Sequence, residues 1–341
     1  MIDTPPWHRY AGRRHKLESV RWRTIPVAIA VAAAACATAS AAEAPTVDIE
    51  AAGATRITVD GDWLTVGAGA VWLSDTKRGA INRINPTTGQ IDAKIGISHP
   101  CQASDFGLNA VWTATCGPRG LARINPATNK RSAFLKMLIS VRWRGEASIG
   151  VGANAVLVVL DTSKCLACSL ARVVSRPRSL RIAKRIPIRA GGAGVRFGEG
   201  AVWVTNPAFG LVQKIDVASN RVVATIKVGS TPRFFAIGEG GVWTLDQDDG
   251  SVTRVDPATG AVVATIPAGV AGSGGDMTVG GGWVWARGTD ILLSQIDPRT
   301  NTVIRRYGPP SGSGAAVVGF GAVWVSAHDI STVWRLPLPS P

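Results

Sequence analysis

The phrase "GEGAVWVTNPAFGLVQKIDVASNRVVATIKVG" (198–229) returns forty residues later as "GEGGVWTLDQDDGSVTRVDPATGAVVATIPAG" (238–269). Aligned on its aromatic centre, the phrase occurs seven times, at Trp72, Trp112, Leu157, Trp203, Trp243, Trp285 and Trp324. The spacings are 40, 45, 46, 40, 42 and 39 residues. The chain holds 12 Trp against 2 Tyr and 7 Phe, which is what one position used again and again produces.

Each copy reads as four short strands, here called a to d. A short apolar run ends in Gly, a hairpin leads into "GVW" or "AVW", a polar loop follows, and "DPATG" joins the last two strands. A period near 40 built from such units is the signature of a β-propeller with one blade per repeat. The fold class is therefore all-β, a seven-bladed propeller with four antiparallel strands per blade. The "VW" strands are apolar on both faces because a blade lies between two others. The Trp is read as inter-blade packing. In the c–d turns (85–89, 125–129, 256–260, 297–301), Asp or Asn opens an Asx turn, Pro fixes φ, and Gly or Asn accepts positive φ. These carboxylates are structural rather than metal ligands. The last repeat stops before its fourth strand. "TVDIEAAG" (46–53) matches the d-strand phrase, so residues 46–52 are expected to complete the last blade and leave no open edge.

Residues 1–42 read as a secretory signal with a long basic leader: Arg and Lys, then "VAIAVAAAACA", then small residues at the cleavage site. Residues 43–341 form the propeller domain. The h-region is too short and Ala-rich to be a transmembrane span, and the protein is expected to be exported, periplasmic or extracellular, and monomeric. Without the leader the chain carries 31 basic and 21 acidic residues.

Four cysteines suit that oxidising compartment. Cys101 and Cys116 fall on facing positions of the a–b hairpin of blade 2 and are expected to bond. Cys165 and Cys168, in the b–c loop of blade 3, are expected to form a local disulfide.

"VWVTN" (202–206) resembles the YVTN repeat, with Trp203 in place of Tyr. The fuller phrase is similar to the YVTN-type propellers of bacterial envelopes and to the virginiamycin B lyase (streptogramin lyase) group, across residues 46–339. The lyase resemblance implies a His base, a Glu and a divalent metal such as Mg. Beyond the leader only His99 and His328 are present. The nearest counterpart of a catalytic set is His328, Asp329 and Glu146. The family's full set does not carry over, no cofactor is expected otherwise, and the residues favour a non-catalytic binding or scaffold protein. The alternative is a lyase opening a cyclic depsipeptide lactone.

Ligands of propellers favour the face bearing the b–c and d–a loops. On it the sequence places Asp75, Asn206, Asp246 and Arg287 at the ends of strand b. Asp62, Trp63, Arg233 and Asp276 start strand a. A small polar ligand fits this mixed set; the competing reading is a solvated loop surface. Charge is concentrated elsewhere. Residues 130–189 hold 13 Lys and Arg against Glu146 and Asp161. Blade 3, which also lost its Trp, carries the belt Arg172, Arg176, Arg178, Arg181, Lys184 and Arg185 on its outer strands. The expected partner is anionic: acidic lipid headgroups, lipopolysaccharide phosphates or an acidic protein. Nucleic acid fits the charge but not the compartment.

Overall fold

A computed structural model describes residues 44–136, 141–142, 148–162, 168–177 and 179–340, side chains at 102, 141–142 and 161–162 excepted. Seven antiparallel sheets stand in a ring. Their innermost strands are Leu64–Gly67, Pro100–Gly107, Ile149–Gly152, Val195–Gly198, Pro232–Gly238, Asp276–Gly280 and Ala316–Gly319, each touching the next and the last touching the first. No helix among the described residues is long and apolar enough to cross a membrane.

The ring closes through the N-terminal segment, in a different register from the one expected. Thr55–Thr58, not residues 46–52, pairs antiparallel with Thr332–Pro337 as the fourth strand of blade 7. Thr46–Asp48 instead runs parallel to Thr302–Gly308, as a fifth strand on blade 6. The observed connection has the common length. From the end of strand d to the start of strand a, five of the other connections take four to nine steps along the chain, as in Gly96 to Pro100 and Pro267 to Asp276, and one, Lys136 to Ile149, takes thirteen. Thr58 reaches Leu64 in six, whereas residue 52 would need twelve.

Six Trp side chains at the repeated position are fully buried. Each indole N–H donates to the carbonyl of the glycine that ends strand a of its own blade, from 2.9 Å for Trp72 to Gly67 to 3.3 Å for Trp285 to Gly280. A buried indole needs such an acceptor, and the bond fixes the ring across the a–b hairpin.

Those glycines have a second task. A Cβ on Gly67 would strike Phe106 of the next blade. The same relation links Gly107 to Val151, Gly152 to Phe197, Gly198 to Ile237, Gly238 to Val279, Gly280 to Val318 and, closing the circle, Gly319 to Val66, all within 2.1–2.9 Å. Each blade seats one side chain of its successor in a socket that only glycine leaves open.

A cation on strand c, opposite the Trp, ties the blades on the outside of this ring. Arg83, Lys214, Arg254 and Arg335 lie over Trp72, Trp203, Trp243 and Trp324 at 4.8–5.9 Å. Several also reach the c–d turn of the next blade: Arg254 donates to Pro298 O (2.7 Å) and Asn301 Oδ1 (2.9 Å), and Lys214 to Pro257 O (2.7 Å). The turns have the expected Asx geometry, with Asn85, Asn125, Asp256 and Asp297 accepting the N–H two residues on at 2.8–2.9 Å. Cys101 and Cys116 are bonded, their Cα atoms 5.5 Å apart. Cys168 is disulfide-bonded; Cys165 lies outside the described residues.

Candidate functional site

Of the loop-face residues, Asp62, Asp75, Asn206, Asp246, Asp276 and Arg287 are buried, Arg233 and His328 are half-buried and Asp329 is exposed. Asn206 donates to the carbonyls of Arg189 (3.2 Å) and Ala190 (2.7 Å), holding its own d–a loop. Asp246 accepts the hydroxyls of Thr253 (2.6 Å), Thr244 (2.9 Å) and Ser251 (3.3 Å). Burial dominates over these bonds and pushes its carboxyl up to about 6. Asp75 accepts the Arg78 N–H at 2.9 Å and lies 3.5 Å from its guanidinium. Arg233 is half-buried, with its guanidinium 5.3 Å over Phe234 and Nη1 3.5 Å from Ser273 O.

Arg287 gathers several of the others. Its guanidinium is fully buried and donates to Ser311 O (2.5 Å), Gly312 O (3.0 Å) and Ser326 O (3.2 Å). Desolvation pushes its pKa down to about 10, against the charges of Asp329, Asp62 and Asp276. Asp276 accepts the N–H groups of Met277 (2.8 Å) and Ala316 (3.2 Å). His328 Nδ1 lies 2.8 Å from Ser313 O and 3.9 Å from Asp62 Oδ1. Asp62, Asp75 and His328 share a cavity of about 60 Å³ with Lys77. So Asp62, Asp276, Arg287, His328 and Asp329 come together where blades 6, 7 and 1 meet, while Asn206, Asp246 and Arg233 stay in their own blades. Glu146 lies outside the described residues.

The central channel carries polar residues that sequence reasoning passed over. The strand-a position opposite the repeated aromatic is Thr65, Asp105, Gly150, Arg196, Ala236, Thr278 and Val317 in the seven blades. Six of these line one cavity of about 200 Å³ in the bore. The signal was available: two positions before the glycine that ends strand a, most copies are small or apolar, and Asp105 and Arg196 are not.

Trp63 fills the bore above this cavity. It is buried, its ring centroid is 6.1 Å from that of Phe234 across the channel, and its indole donates to Ser104 O at 3.1 Å. Arg196 reaches over the same ring at 5.9 Å and donates from Nη1 to Val195 O (3.1 Å) and Ile149 O (3.3 Å). Asp105 accepts the N–H groups of Val151 (2.7 Å) and Phe106 (2.8 Å). Burial raises its pKa, opposed by Arg196 and by those two bonds. Trp63, Ser104, Asp276 and Met277 at the inner end are buried, whereas Phe197 at the other end is 38% exposed. The cavity is a blind well that opens among the a–b turns, on the face away from the b–c loops.

No family model matches this chain, and no curated protein does. Solved structures do. The chain is similar to the Cps50 (Swd1) β-propeller domain of Myceliophteria thermophila, with TM-score 0.64 and 10% identity over 84% of this chain and 98% of that one. It is similar to the computationally designed Ika8 protein, with TM-score 0.59 and 13% identity over 83% and 97%. BamB from Moraxella catarrhalis matches with TM-score 0.55 and 10% identity over 81% and 82%. The likeness is one of fold. A propeller scaffold hosts many unrelated functions, so the sites must speak for themselves.

The basic belt divides in two. Arg172 is not an outer-surface cation: it is half-buried and donates to Ala153 O (2.7 Å), Asn220 Oδ1 (3.1 Å) and Val217 O (3.3 Å). It is blade 3's copy of the inter-blade tie, retained opposite Leu157. Arg176, Arg181, Lys184 and Arg185 are exposed on the two outer strands, Ser169–Arg176 and Ser179–Pro187; Arg178 lies outside the described residues. The outer strand of blade 2, Lys130–Lys136, lies alongside and exposes Lys130, Arg131 and Lys136.

Proposed function

We propose that this chain is an exported propeller that works as a binding scaffold and takes an anionic partner on the outer face of blades 2 and 3. One observation carries the reading. Two neighbouring outer strands, Lys130–Lys136 and Ser179–Pro187, expose Lys130, Arg131, Lys136, Arg181, Lys184 and Arg185, and neither strand contains an acidic residue. Like charges crowded on one face repel each other, and a polyanionic surface relieves that repulsion. The leader-like residues 1–42 and the Cys101–Cys116 bridge support export. The YVTN-type phrase supports a place among bacterial envelope propellers, where acidic headgroups and lipopolysaccharide phosphates are at hand. The buried, bonded state of Asn206, Asp246 and Arg287 supports a scaffold rather than a catalyst on the loop face.

The lyase reading draws on His328, whose ring is oriented by Ser313 O at 2.8 Å and lies 3.9 Å from Asp62. The donors around it do not suit a divalent cation. Asp75 is engaged by Arg78, and Lys77 lines the same small cavity.

The test is retention on phosphatidylglycerol vesicles. Wild type should bind at about 0.01 M salt, where the Debye length is about 30 Å, and release toward about 1 M, where it is about 3 Å. Changing Arg181, Lys184 and Arg185 together to Glu should abolish retention without lowering the melting temperature. Salt-insensitive behaviour of the wild type, or full retention of the variant, refutes the reading.

A further inference from the structure

The blind well combines one cation, Arg196, two carboxylates, Asp105 and Asp276, several hydroxyl groups and an apolar wall, and Asp276 also faces the charge of Arg287. Arg196 uses Nη1 for two backbone carbonyls, and its Nε and Nη2 groups make no hydrogen bond to the described residues. Asp105 and Arg196 attract each other without a direct hydrogen bond or ion pair, and each Asp105 oxygen accepts one backbone N–H. Thr278 Oγ1 accepts the Val318 N–H at 3.2 Å, so its own proton is available. Thr65 and Ser104 share a single bond of 2.8 Å, which leaves one of their two hydroxyl protons for the well. Toward the mouth the lining is Val66, Phe197, Ile237, Val279 and Val317.

On the same face the a–b turns carry Leu108 and Phe320, 43% and 42% exposed, at first turn positions with φ of 52° and 56°; Ala68, Ala153, Glu199 and Glu239 hold the same left-handed φ in other blades.

We propose that the well binds a small monocarboxylate with an apolar tail. The carboxylate lies against the guanidinium of Arg196 and the hydroxyls of Thr278 and the Thr65–Ser104 pair. The tail runs out between Ile237, Val279 and Phe197. A guanidinium and hydroxyl donors in a partly desolvated pocket favour an oxyanion over an alcohol or an ammonium group. The cavity of about 200 Å³ limits the ligand to a small one, such as hexanoate or benzoate.

Titration calorimetry on the mature chain tests this with hexanoate, hexan-1-ol and hexylammonium. Hexanoate should bind saturably and tighter than the other two. Arg196→Met should weaken hexanoate by about 10- to 100-fold while leaving hexan-1-ol unchanged, and Thr278→Val should weaken it by about 5-fold. Should Arg196→Met fail to fold, Thr278→Val and a length series on the wild type (acetate, hexanoate, dodecanoate) decide, with hexanoate preferred over both. The Arg181, Lys184 and Arg185 to Glu variant must keep wild-type hexanoate affinity, which separates this site from the outer belt. The proposal is overturned if hexanoate gives no saturable heat, if hexylammonium binds tighter, or if the folded Arg196→Met variant binds hexanoate as wild type does.

Discussion

Gly198→Ala isolates the socket between blades 4 and 5. Gly198 does not hold a left-handed φ, so the added methyl acts through contact alone. It would sit 2.6 Å from Ile237 Cγ2, 3.0 Å from Cβ and 3.2 Å from Cδ1. The Cβ contact matters most, because no rotamer of Ile237 moves that atom and the two sheets must shift instead. Overpacking of this kind costs about 1–3 kcal/mol. With an unfolding entropy of about 2.1 cal/mol/K per residue over ~300 residues, that lowers the melting temperature by about 2–5 °C. Gly96→Ala is the control, since nothing lies within 4 Å of its added Cβ and its φ is not left-handed. It should be neutral or raise stability by about 0.4–1 kcal/mol. Ile237→Ala removes packing, and combined with Gly198→Ala it also removes the contacts with Cγ2 and Cδ1, the closest of the clashes among them, leaving only the Cβ contact at 3.0 Å. The double variant should be more stable than the sum of the singles by about 1 kcal/mol or more. Scanning calorimetry and urea titration measure all four proteins. If Gly198→Ala behaves like Gly96→Ala, or the two changes are additive, the socket does not exist.

Three further outcomes are expected. Arg254→Met loses the bonds to Pro298 O, Asn301 Oδ1 and Gly240 O, so urea unfolding should show a loss of about 2–3 kcal/mol. Asp246 has its pKa raised from 3.8 to about 6. It therefore supports the fold when protonated, fully so below pH 3.8, and that contribution is lost as pH rises through 6. The stability of wild type minus that of Asp246→Asn should fall by about 3 kcal/mol between pH 4 and pH 7, and a flat difference contradicts the assignment. Deleting residues 44–53 removes only the parallel outer strand and should give a folded protein of lowered melting temperature. Deleting 44–58 opens blade 7 and should give loss of cooperative unfolding by calorimetry.

The blade count, the strand order within a blade, the Asx turns and the Cys101–Cys116 pair were legible because each rests on local spacing. The closing strand was misplaced by phrase similarity. The roles of Arg83, Lys214, Arg254 and Arg335 stood in the open as a basic residue eleven positions after Trp72, Trp203, Trp243 and Trp324, and counting charges by region hid them. Arg172 was assigned to the surface for the same reason. The well needed three dimensions: Trp63 reads as the start of a strand on the loop face, and nothing in its neighbours along the chain says that it crosses the bore to Phe234. The polar residues of the loop face were visible, but their burial was not, because the carbonyls they hold belong to loops some twenty residues away.

The closing joint makes assembly a question of concentration. Arg56 donates to Thr332 across a separation of 276 residues, and the strand that makes this joint is four residues long. Entropy charges a loop of that length more than any hairpin within a blade, though only logarithmically. Until the joint forms, blade 7 presents an open edge to every other molecule in solution, and Thr55–Thr58 of a neighbour satisfies it with the same hydrogen bonds. Dilute refolding should therefore yield closed single rings, and crowded refolding should link molecule to molecule through borrowed first strands, which light scattering across a protein dilution series would measure.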